Sequence, residues 1–209
     1  MRTEYVAEGH DLAWYLKYEI EVAQQVKEDT FFTWVVAPTV IYGRHQVIEH
    51  EADVSFCHER GIRLVQRQSG GGCVYADEGN LMLSFVSPST HSEAVFARFL
   101  NGVAAALREL NYPAVTTQHN DILVNDHKVA GFACYALPTG TIVHACMLYD
   151  VDLDMLARAL TPSVDKLAKH AVSSVRQRVH NLREWQDWGP MPDFRQQISK
   201  KITKNLQES

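Results

Sequence analysis

Residues 120–137 read NDILVNDHKVAGFACYAL, in which two apolar runs flank Asn125 and Asp126. Because Asn and Asp tolerate left-handed backbone angles, this pair predicts a tight hairpin with Lys128 opening the return strand. The other strand-like runs also follow one another as neighbours, without the regular helix between strands that a parallel sheet needs. The pattern therefore predicts an α+β fold, with helices packed on a central mixed or antiparallel β-sheet.

The rest of the chain supplies further elements of this fold. Apolar residues at helical spacing predict helices over residues 11–27, 51–60, 92–110 and 152–159. Runs rich in β-branched and aromatic residues predict strands at TFFTWVVA, TVIYG, IRLVQR, NLMLSFV and TGTIVHACMLYDVDL. Gly189, Pro190 and Pro192 then interrupt regular structure, so we expect a domain over residues 1–185 and a helical C-terminal tail over residues 186–209.

Composition and charge exclude several classes of protein. The 209 residues carry a formal net charge of -5 and no long basic block, which argues against binding to nucleic acid. No stretch reaches ~18 uninterrupted apolar residues, and the first residues lack the apolar run of a signal peptide, so we expect no membrane span. The four cysteines form no CxxC pair and the ten histidines no HExxH pattern. We therefore expect a cytoplasmic protein with reduced thiols.

A second stretch, RQSGGGCVYADEGN at residues 67–80, contains three consecutive glycines. Glycine loses more backbone freedom on folding than any other residue, so this run needs a compensating role. It forms either a wide turn between two strands or a loop whose N–H groups approach an anion. Arg67 and Ser69 favour the anion loop, because both donate hydrogen bonds to phosphate or carboxylate oxygens. Neither a Walker A motif nor GxGxxG is present, which disfavours two common nucleotide-binding folds.

Lys128 is either an exposed strand residue or the cationic part of the same site. Asn120 and Asp121 lie just upstream on the partner strand of the predicted hairpin. An amide, a carboxylate and an ammonium group therefore converge at one end of the sheet. Such a group suits a nucleotide: Asp121 is a candidate Mg²⁺ ligand, directly or through water, and Lys128 a point charge for an α-phosphate.

A third stretch, KHAVSSVRQRVHNL at residues 169–182, has two interpretations. Its Arg-x-Arg spacing is typical of solvated arginines on a helix. The stretch also suits closure over a nucleotide through four side chains, those of Ser173, Ser174, Arg176 and Arg178.

Together these stretches resemble the lipoate-protein ligase A family, part of the wider group of biotin and lipoate ligases and transferases. The resemblance also includes VIYGRHQ and HACMLYDVDLDMLARAL, and it spans about residues 34–182. It implies a catalytic domain that activates lipoate with ATP to lipoyl-AMP and transfers the lipoyl group to a lysine. The implied cofactors are ATP and Mg²⁺. The implied acceptors are lipoyl domains of 2-oxoacid dehydrogenase complexes or the glycine cleavage H protein.

The resemblance also implies roles for individual residues. Lys128 matches the lysine of the family's KVxGxA motif and is the implied catalytic residue. Asn120 and Asp121 match the nucleotide and magnesium positions, and residues 169–180 match the adenylate-binding loop. The implied lining of the acyl and phosphate site is Arg67, Ser69, Gly70, Gly71 and Gly72. Candidate walls of an apolar slot for the lipoyl tail are Val74, Tyr75, Val129, Phe132 and His144.

Three departures from the family pattern bear on function. Many family ligases carry a C-terminal accessory domain, whereas this sequence ends at Ser209. We therefore expect that activation needs a separate partner subunit or that the chain performs only transfer. DLAWYL near the N-terminus has Tyr15 where the family pattern has an acid. HAC at residues 144–146 stands where the family often has His-Gly-Thr, so Ala145 is expected to constrict the backbone there.

Two alternative functions remain open from the sequence. Cys134 and Cys146 allow an octanoyl or lipoyl transferase with a cysteine acyl-enzyme, because a thiolate near Lys128 would have a lowered pKa. In that transferase group, however, the cysteine lies about three residues before the position of His144, where this chain has Thr141. The other alternative is a non-catalytic subunit that binds lipoate or lipoyl-AMP.

Overall fold

The computed structural model describes residues 1–118, 120–160 and 178–208, and within them ten strands and six α-helices. The strands are β1 (Arg2–Tyr5), β2 (Thr30–Trp34), β3 (Thr39–Tyr42), β4 (Arg63–Gln66), β5 (Val74–Ala76), β6 (Asn80–Ser87), β7 (Ala114–Thr116), β8 (Asp121–Val124), β9 (His127–Leu137) and β10 (Gly140–Leu148). The α-helices are α1 (Leu12–Gln25), α2 (Val54–Glu59), α3 (Ser92–Glu109), α4 (Leu153–Ala159), α5 (Leu182–Trp185) and α6 (Met191–Glu208). A short 3-10 helix, Ile48–His50, precedes α2.

The strands form two sheets. Seven of them lie in the order β1-β2-β6-β10-β9-β8-β7, with a parallel β1–β2 pair and antiparallel pairs elsewhere. The other three form a small mixed sheet in the order β4-β3-β5. The predicted α+β class with a central mixed sheet is confirmed. The sequence pattern does not show that β2 and β3, separated only by a short connection around Pro38, belong to different sheets.

Three helices begin at aspartates that cap them. The side chains of Asp11, Asp53 and Asp152 each accept a hydrogen bond from the backbone N–H three residues later, at 2.9, 3.0 and 2.8 Å. Such a cap satisfies an N–H group that has no partner within the helix. The starts of α1, α2 and α4 are therefore fixed by local chemistry.

The large sheet is covered on both faces, and β6 shows this by its alternation. Leu81, Leu83 and Phe85 belong to a core cluster with α3 and α6, whereas Met82 and Val86 belong to a second cluster with α1. Because successive side chains of a strand point to opposite faces, one strand contributes to both cores. A third cluster lies between the small sheet, α2, α4 and the end of β10.

The last helix, α6, lies within the segment that the sequence separates as a tail. Its apolar residues recur every four positions and are fully buried in the cluster with α3: Phe194, Ile198, Ile202 and Leu206. Gly102 of α3 allows close contact, because a Cβ there would lie 3.0 Å from Leu206 Cδ2. The domain boundary at residue 185 stays a prediction. Among the described residues, no helix has the length and apolar character needed to span a bilayer.

Candidate active site

The hairpin of β8 and β9 contains an irregularity that determines where Lys128 points. Ile122 pairs with Ala130 but Leu123 pairs with Lys128, so Val129 is an extra residue in β9, a β-bulge. Val129 and Ala130 are consequently both fully buried in the cluster with α3. Val129, a candidate wall of the acyl slot, is thus a core residue instead. Beyond the bulge, Lys128 lies on the opposite face.

The turn of this hairpin has the conformation that the sequence predicts. Asn125 and Asp126 have φ angles of 48° and 65°, the left-handed region that these two residue types tolerate. The tight turn brings the start of β9 beside the end of β8. Lys128 thereby lies close to Asp121 although seven positions separate them.

The ammonium group of Lys128 lies between Asp121 and Gly131. Its Nζ is 2.7 Å from Asp121 Oδ1, and the two side chains are 34% and 23% exposed. Gly131 pairs with Asp121 on β8 and with Cys146 on β10. A Cβ on Gly131 would lie 3.0 Å from both Cε and Nζ of Lys128. The missing side chain of Gly131 therefore provides the space that the ammonium group occupies.

The glycine loop, residues 67–73, is held by the buried side chain of Arg67. Its Nη2 donates to the carbonyls of Gly70 and Gly72 at 2.8 and 2.7 Å. Its Nη1 donates to the carbonyl of Ile41 at 3.1 Å, and its Nε to Ser69 Oγ at 3.0 Å. Four of the five N–H groups of a guanidinium are thus used within the chain. The sequence suggested that Arg67 contacts an anion directly; in the structure most of its donors shape the loop.

Arg67 also fixes the direction of the loop's peptide groups. In a trans peptide unit the N–H points opposite to the C=O, and the described chain has no cis peptide bond. Because the carbonyls of Gly70 and Gly72 point to Arg67, the N–H groups of Gly71 and Cys73 point away from it. Within the described ranges, no acceptor is hydrogen-bonded to these two N–H groups. They are the candidate donors for an anion.

The three glycines are not equivalent. Gly71 has a φ angle of 93°, and a Cβ there would lie 3.0 Å from Arg67 Nη2. A Cβ added to Gly70 or Gly72 would meet no atom within 4 Å, so packing within the protein does not require glycine there. Gly72, however, lines the cavity described next, where a side chain would take space from a ligand. Backbone conformation explains Gly71, whereas at Gly72 a side chain would enter the cavity.

A cavity of about 180 Å³ joins these groups between α1 and the two sheets. Its apolar lining includes Leu16, Trp34, Ile41 and Met82. The predicted site residues that it brings together are Arg67, Gly72, Val74, Asn120, Asp121, Lys128, Phe132 and His144. The glycine loop and the ammonium group, which are far apart in sequence, therefore meet at one cavity.

A second cavity, of about 520 Å³, adjoins the first and shares Val74, Asp121 and Lys128 with it. Tyr75 lines this second cavity, and so does Arg178. Tyr75 is 3% exposed and packs in the cluster of the small sheet. A ligand extending from the first cavity into the second would pass the ammonium of Lys128.

The predicted adenylate-binding stretch is described only from Arg178 onward. Ser173, Ser174 and Arg176 lie outside the described residues. Val179 forms a parallel bridge with Lys128, and the N–H of His180 donates to the carbonyl of Lys128 at 3.2 Å. The end of this stretch is thus attached directly to the strand that carries Lys128.

Two other predicted residues lie at the edge of the site. Ser69 is 2% exposed and contacts His144, with 2.8 Å between Oγ and Nε2. Asn120 lines the first cavity with a φ angle of 64°, and its carbonyl accepts from the N–H of Phe132 at 2.9 Å. Ser69 therefore reaches the cavity through His144, whereas Asn120 lines it directly.

Glu19 is a site residue that sequence reasoning missed. It is 2% exposed, and its Oε2 lies 3.1 Å from His144 Nδ1. Tyr15, at the position where the family pattern has an acid, is instead buried and stacks on Trp34 with ring centroids 4.5 Å apart. Glu19 follows Tyr15 by one helical turn, in the buried stripe that includes Leu12. A carboxylate within that apolar stripe is the signal that could have identified it.

The cysteines of the site have raised pKa values, not the lowered pKa that the sequence analysis considered for a thiolate near Lys128. Burial raises the pKa of Cys146 to about 12, an effect larger than the lowering by Lys128. Burial likewise raises the pKa of Cys73 to about 12 and raises that of Cys134. The expectation of a lowered thiol pKa near Lys128 is therefore wrong, because desolvation of the thiolate outweighs the nearby charge.

We expect Cys73 and Cys146 to resist iodoacetamide at neutral pH. Raising a thiol pKa from 9.0 to about 12 lowers the thiolate fraction about 1000-fold. The alkylation rate of the folded protein should rise with pH, as measured by mass spectrometry of peptides carrying each cysteine. The same chain unfolded in urea is the control. Alkylation of the folded protein at the unfolded rate at pH 7.5 would contradict the burial argument.

Comparison with known proteins shows which family the sequence matches. Residues 11–203 match the family model described as the lipoyl protein ligase A/B catalytic domain. The chain is 34% identical over 158 residues to the lipoate-protein ligase LplJ of Bacillus subtilis, an alignment covering 74% of this chain and 47% of that protein. It spans about half the length of the curated relatives it matches.

Two solved structures extend the similarity to nearly the whole chain. A bi-partite lipoate protein ligase from Thermoplasma acidophilum, described with its E2 lipoyl domain, has a TM-score of 0.88 and 27% identity, covering 99% of this chain and 83% of that chain. A lipoate-protein ligase A bound with ATP has a TM-score of 0.84 and 25% identity, covering 99% and 85%. On the family match and these similarities, the chain belongs to the lipoyl protein ligase A/B catalytic-domain family.

Proposed function

We propose that the chain is the catalytic domain of a lipoate-protein ligase. It activates lipoate with ATP to lipoyl-AMP and then transfers the lipoyl group to a lysine of a lipoyl domain. The observation that carries the proposal is that the Lys128 ammonium and the glycine loop meet at one cavity. The names of the relatives support the choice of acid, and the ATP-bound relative supports the choice of nucleotide.

In the activation step a carboxylate oxygen of lipoate attacks the α-phosphorus of ATP, and the bond to pyrophosphate breaks. Negative charge accumulates on the phosphoryl oxygens, where fixed donors stabilise it without reorganising. Lys128 is the catalytic residue in this proposal, assisted by the outward N–H groups of Gly71 and Cys73. Asp121 orients the ammonium through their 2.7 Å contact.

Mg²⁺ would fit this site if it were bound by one carboxylate together with phosphate oxygens of the nucleotide. Among the described residues, no group of three or more His, Cys, Asp or Glu side chains could hold a metal ion. Mg²⁺ at nucleotide sites, however, is usually held by one or two carboxylates and by phosphate oxygens. Asp121 would hold the ion in that manner, and the ion would supply positive charge to the phosphates.

In the transfer step the lysine amine of the acceptor attacks the acyl carbon of lipoyl-AMP. An amide forms, the bond to the AMP oxygen breaks, and the amine loses a proton. The apolar lining of Trp34, Ile41, Met82 and Phe132 limits water near the anhydride and accommodates an apolar acyl chain. The acceptors in this proposal are lipoyl domains of 2-oxoacid dehydrogenase complexes or the glycine cleavage H protein. The reaction takes place in the cytoplasm, and a separate accessory subunit assists activation.

An ATP–pyrophosphate exchange assay across a panel of carboxylic acids tests the proposal. Exchange should depend on Mg²⁺ and be fastest with lipoate or octanoate. No exchange, but acyl transfer from an octanoyl carrier that is lost in Cys134→Ser or Cys146→Ser, would identify the transferase. Binding of lipoyl-AMP without transfer to a lipoyl domain would identify a non-catalytic subunit. The raised thiol pKa values favour the ligase over the transferase.

Gly131→Ala is expected to lower exchange about 100-fold with little change in stability. The new methyl group displaces the end of the Lys128 side chain, and a shift of about 1 Å at a reacting centre costs on that order. The free energy of unfolding should change by less than about 1 kcal/mol, because the displaced atoms are flexible. Chemical denaturation and the exchange assay measure both. Full activity in this variant would show that Lys128 need not occupy the space beside Gly131.

A further inference from the structure

A continuous hydrogen-bond chain connects α1 to the glycine loop. Arg67 Nε contacts Ser69 Oγ at 3.0 Å, and Ser69 Oγ contacts His144 Nε2 at 2.8 Å. His144 Nδ1 in turn contacts Glu19 Oε2 at 3.1 Å. All four side chains are largely buried, with 13% of the His144 side chain exposed. This hydrogen-bond chain therefore lies within the protein, beside the cavity.

The direction of each bond follows from the donors available. Arginine has no acceptor, so Ser69 accepts from Arg67. Within the described residues His144 Nε2 is the only acceptor within hydrogen-bond distance of the Ser69 hydroxyl, so the arrangement that satisfies this hydroxyl has Ser69 donating to Nε2. In that arrangement the hydrogen on His144 Nδ1 points to Glu19. It gives every donor and acceptor along the hydrogen-bond chain a partner.

Glu19 is held at its other oxygen as well. Ser84 Oγ donates to Glu19 Oε1 at 2.5 Å, and Trp34 Nε1 donates to Ser84 Oγ at 2.8 Å. Trp34 has no acceptor, so Ser84 must direct its own proton to the carboxylate. Glu19 thus has a hydrogen-bond partner at each of its two oxygens.

The hydrogen-bond chain links the buried guanidinium of Arg67 to the buried side chain of Glu19. In the described part of the molecule, no carboxylate lies within 4.0 Å of the Arg67 guanidinium, which is 6% exposed. Burial lowers the pKa of Arg67, which reflects the cost of an uncompensated cation. The hydrogen-bond chain connects this cation to the buried carboxyl group of Glu19 through two polar side chains.

We propose that Glu19, acting through His144 and Ser69, is a positioning residue that fixes Arg67 and with it the peptide orientation of the glycine loop. The consequence for catalysis rests on the proposed ligase function, but the positioning itself does not. Without Glu19, the His144 proton loses its acceptor and Ser69 can turn. Arg67 then loses one of the four hydrogen bonds that fix its guanidinium, two of which hold the carbonyls of Gly70 and Gly72.

The proton position on His144 provides a test that needs no enzymatic activity. In protein labelled with ¹⁵N-histidine, long-range ¹H–¹⁵N spectra recorded at about pH 8.5, roughly two units above the reference histidine pKa, should show the hydrogen of His144 on Nδ1. In Glu19→Gln the amide offers one oxygen to two donors, so we expect the tautomer signal to change. Glu4→Gln is the matched control, because Glu4 also accepts a hydrogen bond, from Tyr18 at 2.7 Å, but is not a member of the hydrogen-bond chain. An Nε2–H tautomer or a charged imidazole in the unaltered protein would overturn the proposal.

Amide hydrogen exchange and kinetics test the effect on the loop. In Glu19→Gln, amide hydrogen exchange at residues 70–73 should accelerate about tenfold, and in Glu4→Gln it should be unchanged. In the ATP–pyrophosphate exchange assay, Glu19→Gln should lower kcat about 10-fold to 100-fold, with a smaller change in KM. Ser69→Ala should add little to Glu19→Gln, because both break one chain; additive losses would overturn the proposal. Absence of ligase activity with the expected tautomer and loop protection would refute only the proposed function.

Discussion

Lys128→Ala is expected to reduce lipoate-dependent pyrophosphate exchange by up to about 1000-fold. A unit charge about 4 Å from a phosphate oxygen contributes roughly 4 kcal/mol at an effective dielectric constant of about 20. Since each 1.36 kcal/mol corresponds to about a tenfold change in rate, that contribution sets the upper limit of the effect. Single-turnover formation of lipoyl-AMP measures the loss at the step concerned.

The same variant should keep its fold. The Lys128–Asp121 pair is partly exposed, so its removal should change the free energy of unfolding by about 1 kcal/mol or less. Lys201→Ala is a matched control, because Lys201 on α6 pairs with Glu109 at 3.4 Å with similar exposure. Lys201→Ala should retain full activity. A rate of pyrophosphate exchange in Lys128→Ala within tenfold of the normal rate would show that this lysine is not the catalytic residue.

Local sequence signals predicted the parts of the fold that local chemistry controls. The capping aspartates begin α1 and α4 where the sequence places helix starts, and Asn125 and Asp126 form the predicted turn. The bulge at Val129 has no comparable signal. Strand alternation alone would place Lys128 and Gly131 on opposite faces, because they are three residues apart. Their contact depends on pairing with β8, which a single strand's pattern does not show.

Prediction of the site from sequence has the same limit, because some of its residues are in contact although they are far apart in the sequence. Arg67, the glycines and Lys128 stand out as candidates because each belongs to a recognisable local pattern. Glu19 offers only the weaker signal of a carboxylate in an apolar stripe, and its partner His144 is 125 positions away on a different element of the fold. The contact between Gly43 and Gly71 is likewise invisible until β3 and β5 pair in the small sheet. Residues that act through tertiary contacts therefore require the structure.

Gly43→Ala is expected to reduce pyrophosphate exchange by at least about 100-fold, because its methyl group would overlap the carbonyl oxygen of Gly71. Both groups are backbone or rigidly attached to it, so the glycine loop itself must move. Gly43 is tied in place by Gln46, whose Oε1 accepts from its N–H at 2.8 Å, and the adjacent Arg44 N–H donates to the Ser69 carbonyl at 3.1 Å. Overpacking of this kind destabilises by about 1–3 kcal/mol.

Gly70→Ala separates this steric effect from a general intolerance of side chains in the loop. Gly70 has open space around a Cβ and lines neither cavity. We expect exchange within about threefold of normal and a change in unfolding free energy below about 0.5 kcal/mol. If both variants behaved alike, whether active or inactive, close approach of Gly43 to Gly71 would not be what positions the loop. A large loss in Gly43→Ala alone would show that the turn after β3 holds the glycine loop against the cavity.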